Sequence, residues 1–170
     1  MDDTDEELHG MVLSIVNEIE AAAEGRLYKN DGEFEIIDDE DEWRRCSYEQ
    51  KVDAFRGVYK DFDYDKSRFK SFDEYVESEC GTADDIELPE KVCLSEYIYG
   101  QSLGDVHFEV GSRKQLFGGK VLFTFGGPNI WAYDDAVRGY WGRNRVEISL
   151  NESARNAMYE WLEEEWDTVG

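Results

Sequence analysis

The chain holds 170 residues, of which 41 are Asp or Glu and 18 are Lys or Arg, for a formal net charge of −23. Such a balance repels nucleic acid and anionic membrane surfaces over long range, and directs attention to basic partners. With 41% hydrophobic and 14% aromatic residues, there is enough core material to exclude a wholly disordered chain, and a chain of this length buries roughly two-thirds of its unfolded surface.

The N-terminus reads Met1-Asp2-Asp3-Thr4-Asp5-Glu6-Glu7, acidic where a secretion signal is basic, and no apolar run reaches bilayer length; a cytoplasmic location is expected. Thr4 and Glu7 fit a capping box. Leu8, Met11, Val12, Ile15, Ile19 and Ala22 then recur at helical spacing up to Gly25, which predicts an amphipathic first helix. Leu27-Tyr28, the turn signal Asn30-Asp31-Gly32 and the alternating Glu33-Phe34-Glu35-Ile36 predict a short hairpin ahead of an exposed acidic run.

Ser47 and Gln50 read as a second capping box, opening a helix with Val52, Phe55, Val58 and Tyr59 on its core face. Ser71 and Glu74 read as a third, leading to Tyr75 and Val76 and stopping at Gly81. From Asp105 the apolar period becomes two: Val106, Phe108 and Val110 alternate with His107 and Glu109, and Val121–Phe125 reads as a buried strand. Strands at Asn129–Tyr133, Val137–Trp141 and Arg145–Leu150 complete an antiparallel meander. Ser149 or Asn151 caps a last helix whose apolar face is Ala154, Met158, Trp161, Leu162 and Trp166. The expected fold is α+β, a β-meander of about four to five strands packed with N- and C-terminal helices. One domain is expected over 1–170, with a mainly helical acidic half (1–90) and a half holding the meander and last helix (91–170).

Chemical motifs are incomplete. Cys46, Cys80 and Cys93 are odd in number and show no paired spacing, so buried reduced thiols are expected rather than disulfides or a zinc site. Asp61, Asp63 and Asp65 begin a calcium-loop pattern, but Lys66 and Phe72 stand where it needs Gly and Glu. Gly118-Gly119-Lys120 is followed by Val121 and lacks the rest of a phosphate loop. His9 and His107 have no nucleophile tied to them. No catalytic residue, metal or cofactor is therefore expected. The aromatics Trp131, Tyr133, Tyr140 and Trp141 are expected to pack within the sheet.

The charge is blocky. Residues 1–43 carry −14, 71–90 carry −8 and 151–170 carry −5, whereas 44–70 carry +3 and 91–150 carry +1. Salt adaptation predicts uniform acidity instead. Carboxylates two apart on a strand lie ~7 Å from each other, and those three or four apart on a helix have Cβ atoms ~5–6 Å apart; both match the order of spacing of backbone phosphates. The candidate partner-binding residues are Glu33, Glu35, Asp38, Asp39, Glu40, Asp41 and Glu42; Asp73, Glu74, Glu77, Glu79, Asp84 and Asp85; and Glu160, Glu163, Glu164 and Asp167. They predict a non-enzymatic inhibitor that offers carboxylates to a basic nucleic-acid-binding protein. The rival readings are a small hydrolase using paired carboxylates and an acidic virion or adaptor protein.

Phe123-Thr124-Phe125-Gly126-Gly127-Pro128-Asn129-Ile130-Trp131, Val137-Arg138-Gly139-Tyr140-Trp141-Gly142 and the helix ending Glu163-Glu164-Glu165-Trp166 resemble small acidic proteins of phages and mobile elements, some of them anti-CRISPR or antirestriction inhibitors. The resemblance covers about the last third of the chain and has no catalytic signature. It implies a defence complex in a bacterial host as the target, and carries over no binding residue.

Overall fold

A computed structural model describes residues 3–59 and 68–169. The α+β class expected from the sequence is observed, with an antiparallel five-stranded sheet and helices at both ends of the chain. The chain divides into two compact units. One comprises the residues up to Ile36 together with Lys91 onward; the other is Ile37–Glu90. The first thus joins the N-terminal helix to the sheet, across the sequence-based division at residue 90.

In the larger unit, α1 (Asp3–Ala23) runs through the expected helix, with Leu8, Val12, Val16 and Ile19 almost fully buried. Thr4 lies inside the first turn rather than capping it. Strands β1 (Leu27–Asn30) and β2 (Glu33–Ile36) form the predicted hairpin, with Asp31 (φ 50°) and Gly32 (φ 82°) as the two turn residues. Positive φ at both positions makes a turn whose twist matches the strands, which is why Asp-Gly marks it. β1 lies between β2 and the Lys91 end of β3 (Glu90–Lys91). An additional helix, α4 (Leu94–Gln101), buries Tyr97 and Ile98.

The meander is β4 (Val106–Val110), β5 (Leu116–Thr124), β6 (Asn129–Tyr133), β7 (Ala136–Trp141) and β8 (Asn144–Ser149), paired in that order. β5 starts five residues before the predicted strand, and Phe125 falls beyond its end, 76% exposed. α5 (Glu152–Val169) and α1 pack on one face of this sheet. Two glycines permit the close approach: a Cβ on Gly139 of β7 would stand 2.7 Å from Val12 Cγ2, and one on Gly119 of β5 would stand 2.5 Å from the His107 carbonyl and 3.0 Å from Leu162 Cδ2. Asn151 Oδ1 caps α5 by accepting from Ala154 N at 2.9 Å.

Tyr97, 1% exposed, donates from its hydroxyl to Glu18 Oε2 at 2.5 Å. Burial first, then this bond to a carboxylate, pushes the phenol well above its ordinary pKa of 10.0. A raised folded pKa gives stability that is complete below the unfolded value and declines as pH rises past it. Urea midpoints are therefore expected to fall more steeply above pH 10 in the wild type than in Tyr97→Phe; equal slopes would contradict this.

The smaller unit contains α2 (Glu40–Tyr59), α3 (Phe72–Cys80) and a single 3-10 turn at Ala83–Asp85. Ser71 Oγ caps α3 by accepting from Glu74 N at 3.1 Å, and Gly81 (φ 76°) ends it, as predicted. Ser47, in contrast, sits mid-helix: α2 begins at Glu40, and Asp39 Oδ1 takes the capping role by accepting from Glu42 N at 3.1 Å. Of the expected core face, Val52 and Phe55 are half-buried, whereas Val58 is 75% exposed. The expected core role of Tyr59 and the acidic turn Asp61–Asp65 lie outside the described residues. Cys80 is buried, but Cys46 and Cys93 are exposed; Cys46 is on an open face of α2 and Cys93 is the N-cap position of α4.

Candidate acidic interface

Helix α5 is sided by its own periodicity. Ala154, Met158, Trp161 and Leu162 face the core, which leaves Glu160, Glu163, Glu164 and Asp167 exposed. Their spacings of three and four residues bring neighbouring Cβ atoms to ~5–6 Å. They form one ladder of four carboxylates. Glu165, missed as a separate case, is half-buried and accepts the Tyr99 hydroxyl, a bond that holds the phenol above its usual pKa range.

The helix macrodipole separates acids that stabilise their own helix from acids that do not. Negative charge is favoured at a helix N-terminus and disfavoured at the C-terminus, by ~0.3–1 kcal/mol within the terminal turn. Glu40, Asp41 and Glu42 occupy the first turn of α2, and Asp73 and Glu74 the first turn of α3, where they stabilise their helices. Asp167 stands in the last turn of α5, which contains no base. Glu163 and Glu164 precede it by one turn. This ladder persists against its local energetics.

Several candidates on the smaller unit have partners of their own. Asp39 caps α2; Asp41 lies 3.8 Å from Arg44; Asp73 accepts from Arg56 at 2.8 Å; Glu74 accepts from Lys70 N at 2.8 Å; and Asp85 accepts from Thr82 N at 2.8 Å. Asp38, Glu40, Glu77, Glu79 and Asp84 are exposed. Glu77 and Glu79 approach the C-terminus of α3, which also lacks a base of its own, yet Lys51 of α2 donates to the Cys80 carbonyl there at 3.0 Å. The carbonyl end of α3 thus receives a cation from a neighbouring helix. In the larger unit, Glu33 is exposed and Glu35 half-buried, two residues apart on β2. The structure therefore brings the last four candidates together on α5, places Glu33 and Glu35 on one strand, and distributes the remainder over the other unit.

Asp39→Ala is expected to destabilise the smaller unit by about 1 kcal/mol, while Asp39→Ser retains most of the cap. The check is the urea midpoint of each variant; an unchanged midpoint for Asp39→Ala would remove the capping assignment.

The sheet face opposite α1 and α5 is chemically different. Trp131 and Tyr133 of β6 and Tyr140 of β7 lie there among cations, whereas Trp141 packs against the core. Lys120 Nζ is 4.2 Å from the Trp131 ring centre, and the Arg138 guanidinium is 4.1 Å from that of Tyr133. Arg138 donates to Glu147 at 2.6 Å across the β7–β8 pair. That bond holds the Glu147 carboxyl below its usual range, the opposite of what a general acid requires. Within the sheet, Glu147 pairs with Arg138 and Arg145, and Asp135 lies 3.9 Å from Arg138.

Among the described residues, no three His, Cys, Asp or Glu side chains gather as a metal-binding group, and no helix is long and apolar enough to cross a membrane. No protein-family model, curated protein or solved structure matches the chain.

Proposed function

We propose that this chain is a non-enzymatic inhibitor that occupies the nucleic-acid-binding surface of a basic protein by presenting carboxylates where that surface accepts phosphates. The observation that supports this most is the α5 ladder: Glu160, Glu163, Glu164 and Asp167 are exposed, adjacent and without a compensating base in the last turn. Like-charged neighbours at these spacings cost a helix ~0.2–0.5 kcal/mol per pair, so a cationic partner relieves a repulsion that the isolated protein carries. Association is steered by charge and weakens with salt. The resemblance of the last third makes a bacterial defence complex of CRISPR or restriction type the proposed target, with no chemistry performed on it.

The test is affinity capture from a bacterial lysate by the wild type and by a variant with the α5 ladder neutralised. The expected result is capture of a nucleic-acid-binding complex that added DNA or RNA releases and that the variant retains poorly. Retention of the same complex by both proteins, indifferent to nucleic acid, would overturn the proposal.

A further inference from the structure

On the larger unit, the outward side of α1 borders two adjoining cavities, of about 480 and 400 Å³, which share Gly10, Ser14 and Glu18. The larger has an apolar floor of Met11, Ile15 and Phe123; the smaller is walled by Leu13 and by Phe34 and Ile36 of β2. Leu13 and Ile36 are 39% and 37% exposed, so apolar surface that α1 and β2 would ordinarily bury faces solvent here. Gly10, Ser14 and Asn17 follow one another along α1 over seven residues, ~10 Å at the helical rise. Their small side chains give a shallow groove about two turns long.

The groove is acidic as well as apolar. Glu7 and Glu18 line the larger cavity, and among the described residues no Lys or Arg lines either one. Tyr97 donates to Glu18 Oε2, which fixes that carboxylate between the two cavities and leaves Oε1 for a donor from outside. A hydrogen-bonded carboxylate held in place between apolar pockets selects a cation flanked by apolar groups. A phosphate or an acidic peptide meets only repulsion there.

We infer that this groove docks an amphipathic cationic helix of the partner protein, seating an aliphatic or aromatic side chain over Met11, Ile15 and Phe123 and placing a Lys or Arg one turn away on Glu18. Helix-in-groove recognition uses anchors at such spacings. The inference rests on the proposed inhibitor reading and deepens it. Charge on α5 attracts and orients the partner, while the α1 groove supplies the buried apolar contact that slows dissociation.

The test uses two synthetic 14-residue peptides of equal charge: one of Leu and Lys with Leu at helical spacing, the other with Ser in place of Leu. Binding to the full chain is read by fluorescence anisotropy in 0.15 M salt, and the Met11 methyl resonance is followed by NMR. Two variants leave the fold intact by design. Gly10→Phe fills the groove from a position where an added Cβ meets nothing within 4 Å, and Glu18→Gln keeps an acceptor for Tyr97 while removing the charge.

The Leu/Lys peptide is expected to bind at least about tenfold tighter than the Lys/Ser peptide and to shift the Met11 methyl. Gly10→Phe should lose about tenfold and Glu18→Gln about three- to tenfold of that affinity. Equal affinity of the two peptides, or unchanged binding by both variants with unaltered melting, would overturn the inference. The two readings fail separately. Nucleic-acid displacement that needs no more of the Gly10→Phe variant than of the wild type removes the groove alone, whereas groove-dependent peptide binding without any displacement removes the inhibitor reading alone.

Discussion

Replacing Glu160, Glu163, Glu164 and Asp167 together by Gln and Asn is expected to stabilise the protein while weakening its hold on a cationic partner. Four like-charged pairs lie three or four residues apart in this set, at Glu160–Glu163, Glu160–Glu164, Glu163–Asp167 and Glu164–Asp167. At ~0.2–0.5 kcal/mol each, with a further contribution from Asp167 at the negative end of the dipole, their removal contributes about 1–2 kcal/mol. In a protein of this size that raises Tm by roughly 3–6 °C. The gain should shrink in 1 M salt, where the screening length is only ~3 Å. Thermal melts at low and high salt, beside capture assays, read both effects. A quadruple variant less stable than the wild type would show that these acids have structural partners and no surplus to offer.

Leu162→Ala has the largest expected effect on stability. Leu162 is fully buried on α5, and its Cδ2 would lie only 3.0 Å from a Cβ placed on Gly119 of β5. The side chain therefore fills the space between helix and sheet that the glycine opens. Truncation leaves a cavity between rigid elements and should cost 2–5 kcal/mol, about the range for buried leucines. Denaturant unfolding followed by Trp fluorescence checks it. A loss below about 1 kcal/mol would mean that α5 is not firmly docked, and the ladder on its outer face would then have no fixed geometry.

Those two residues also show where the sequence was legible. Sidedness of α5 and α1 came through because both helices repeat apolar residues at 3.6-residue spacing over more than about three turns. The hairpin came through because Asp31 and Gly32 supply the positive φ its turn requires. Gly118 and Gly119, by contrast, stood out only as a fragment of a phosphate-loop motif and left the first half of β5 unassigned, although Gly119 is there because the His107 carbonyl and Leu162 leave no room for a side chain. Only tertiary contact explains it.

The acidic runs were legible as charge but not as roles. Asp39 was indistinguishable from its neighbours until the structure showed its carboxylate capping α2, and the pairing of Asp73 with Arg56 crosses 17 residues. The box pattern at Ser47 misled because a Ser followed three residues later by Gln also occurs inside helices. α4 escaped notice because its N-cap, Cys93, makes no side-chain capping bond. The α1 groove has no signature in one dimension either, since it needs Phe34, Tyr97 and Phe123 brought to one helix from three elements.

Displacement of labelled nucleic acid from the captured target bears most directly on whether the exposed carboxylates act in place of phosphates. As unlabelled protein is added, the account predicts that anisotropy falls to the value of free nucleic acid, with the α5-neutralised variant requiring at least about tenfold more protein, equivalent to ~1.4 kcal/mol. A stable ternary complex, with nucleic acid still bound at saturating protein, would contradict it.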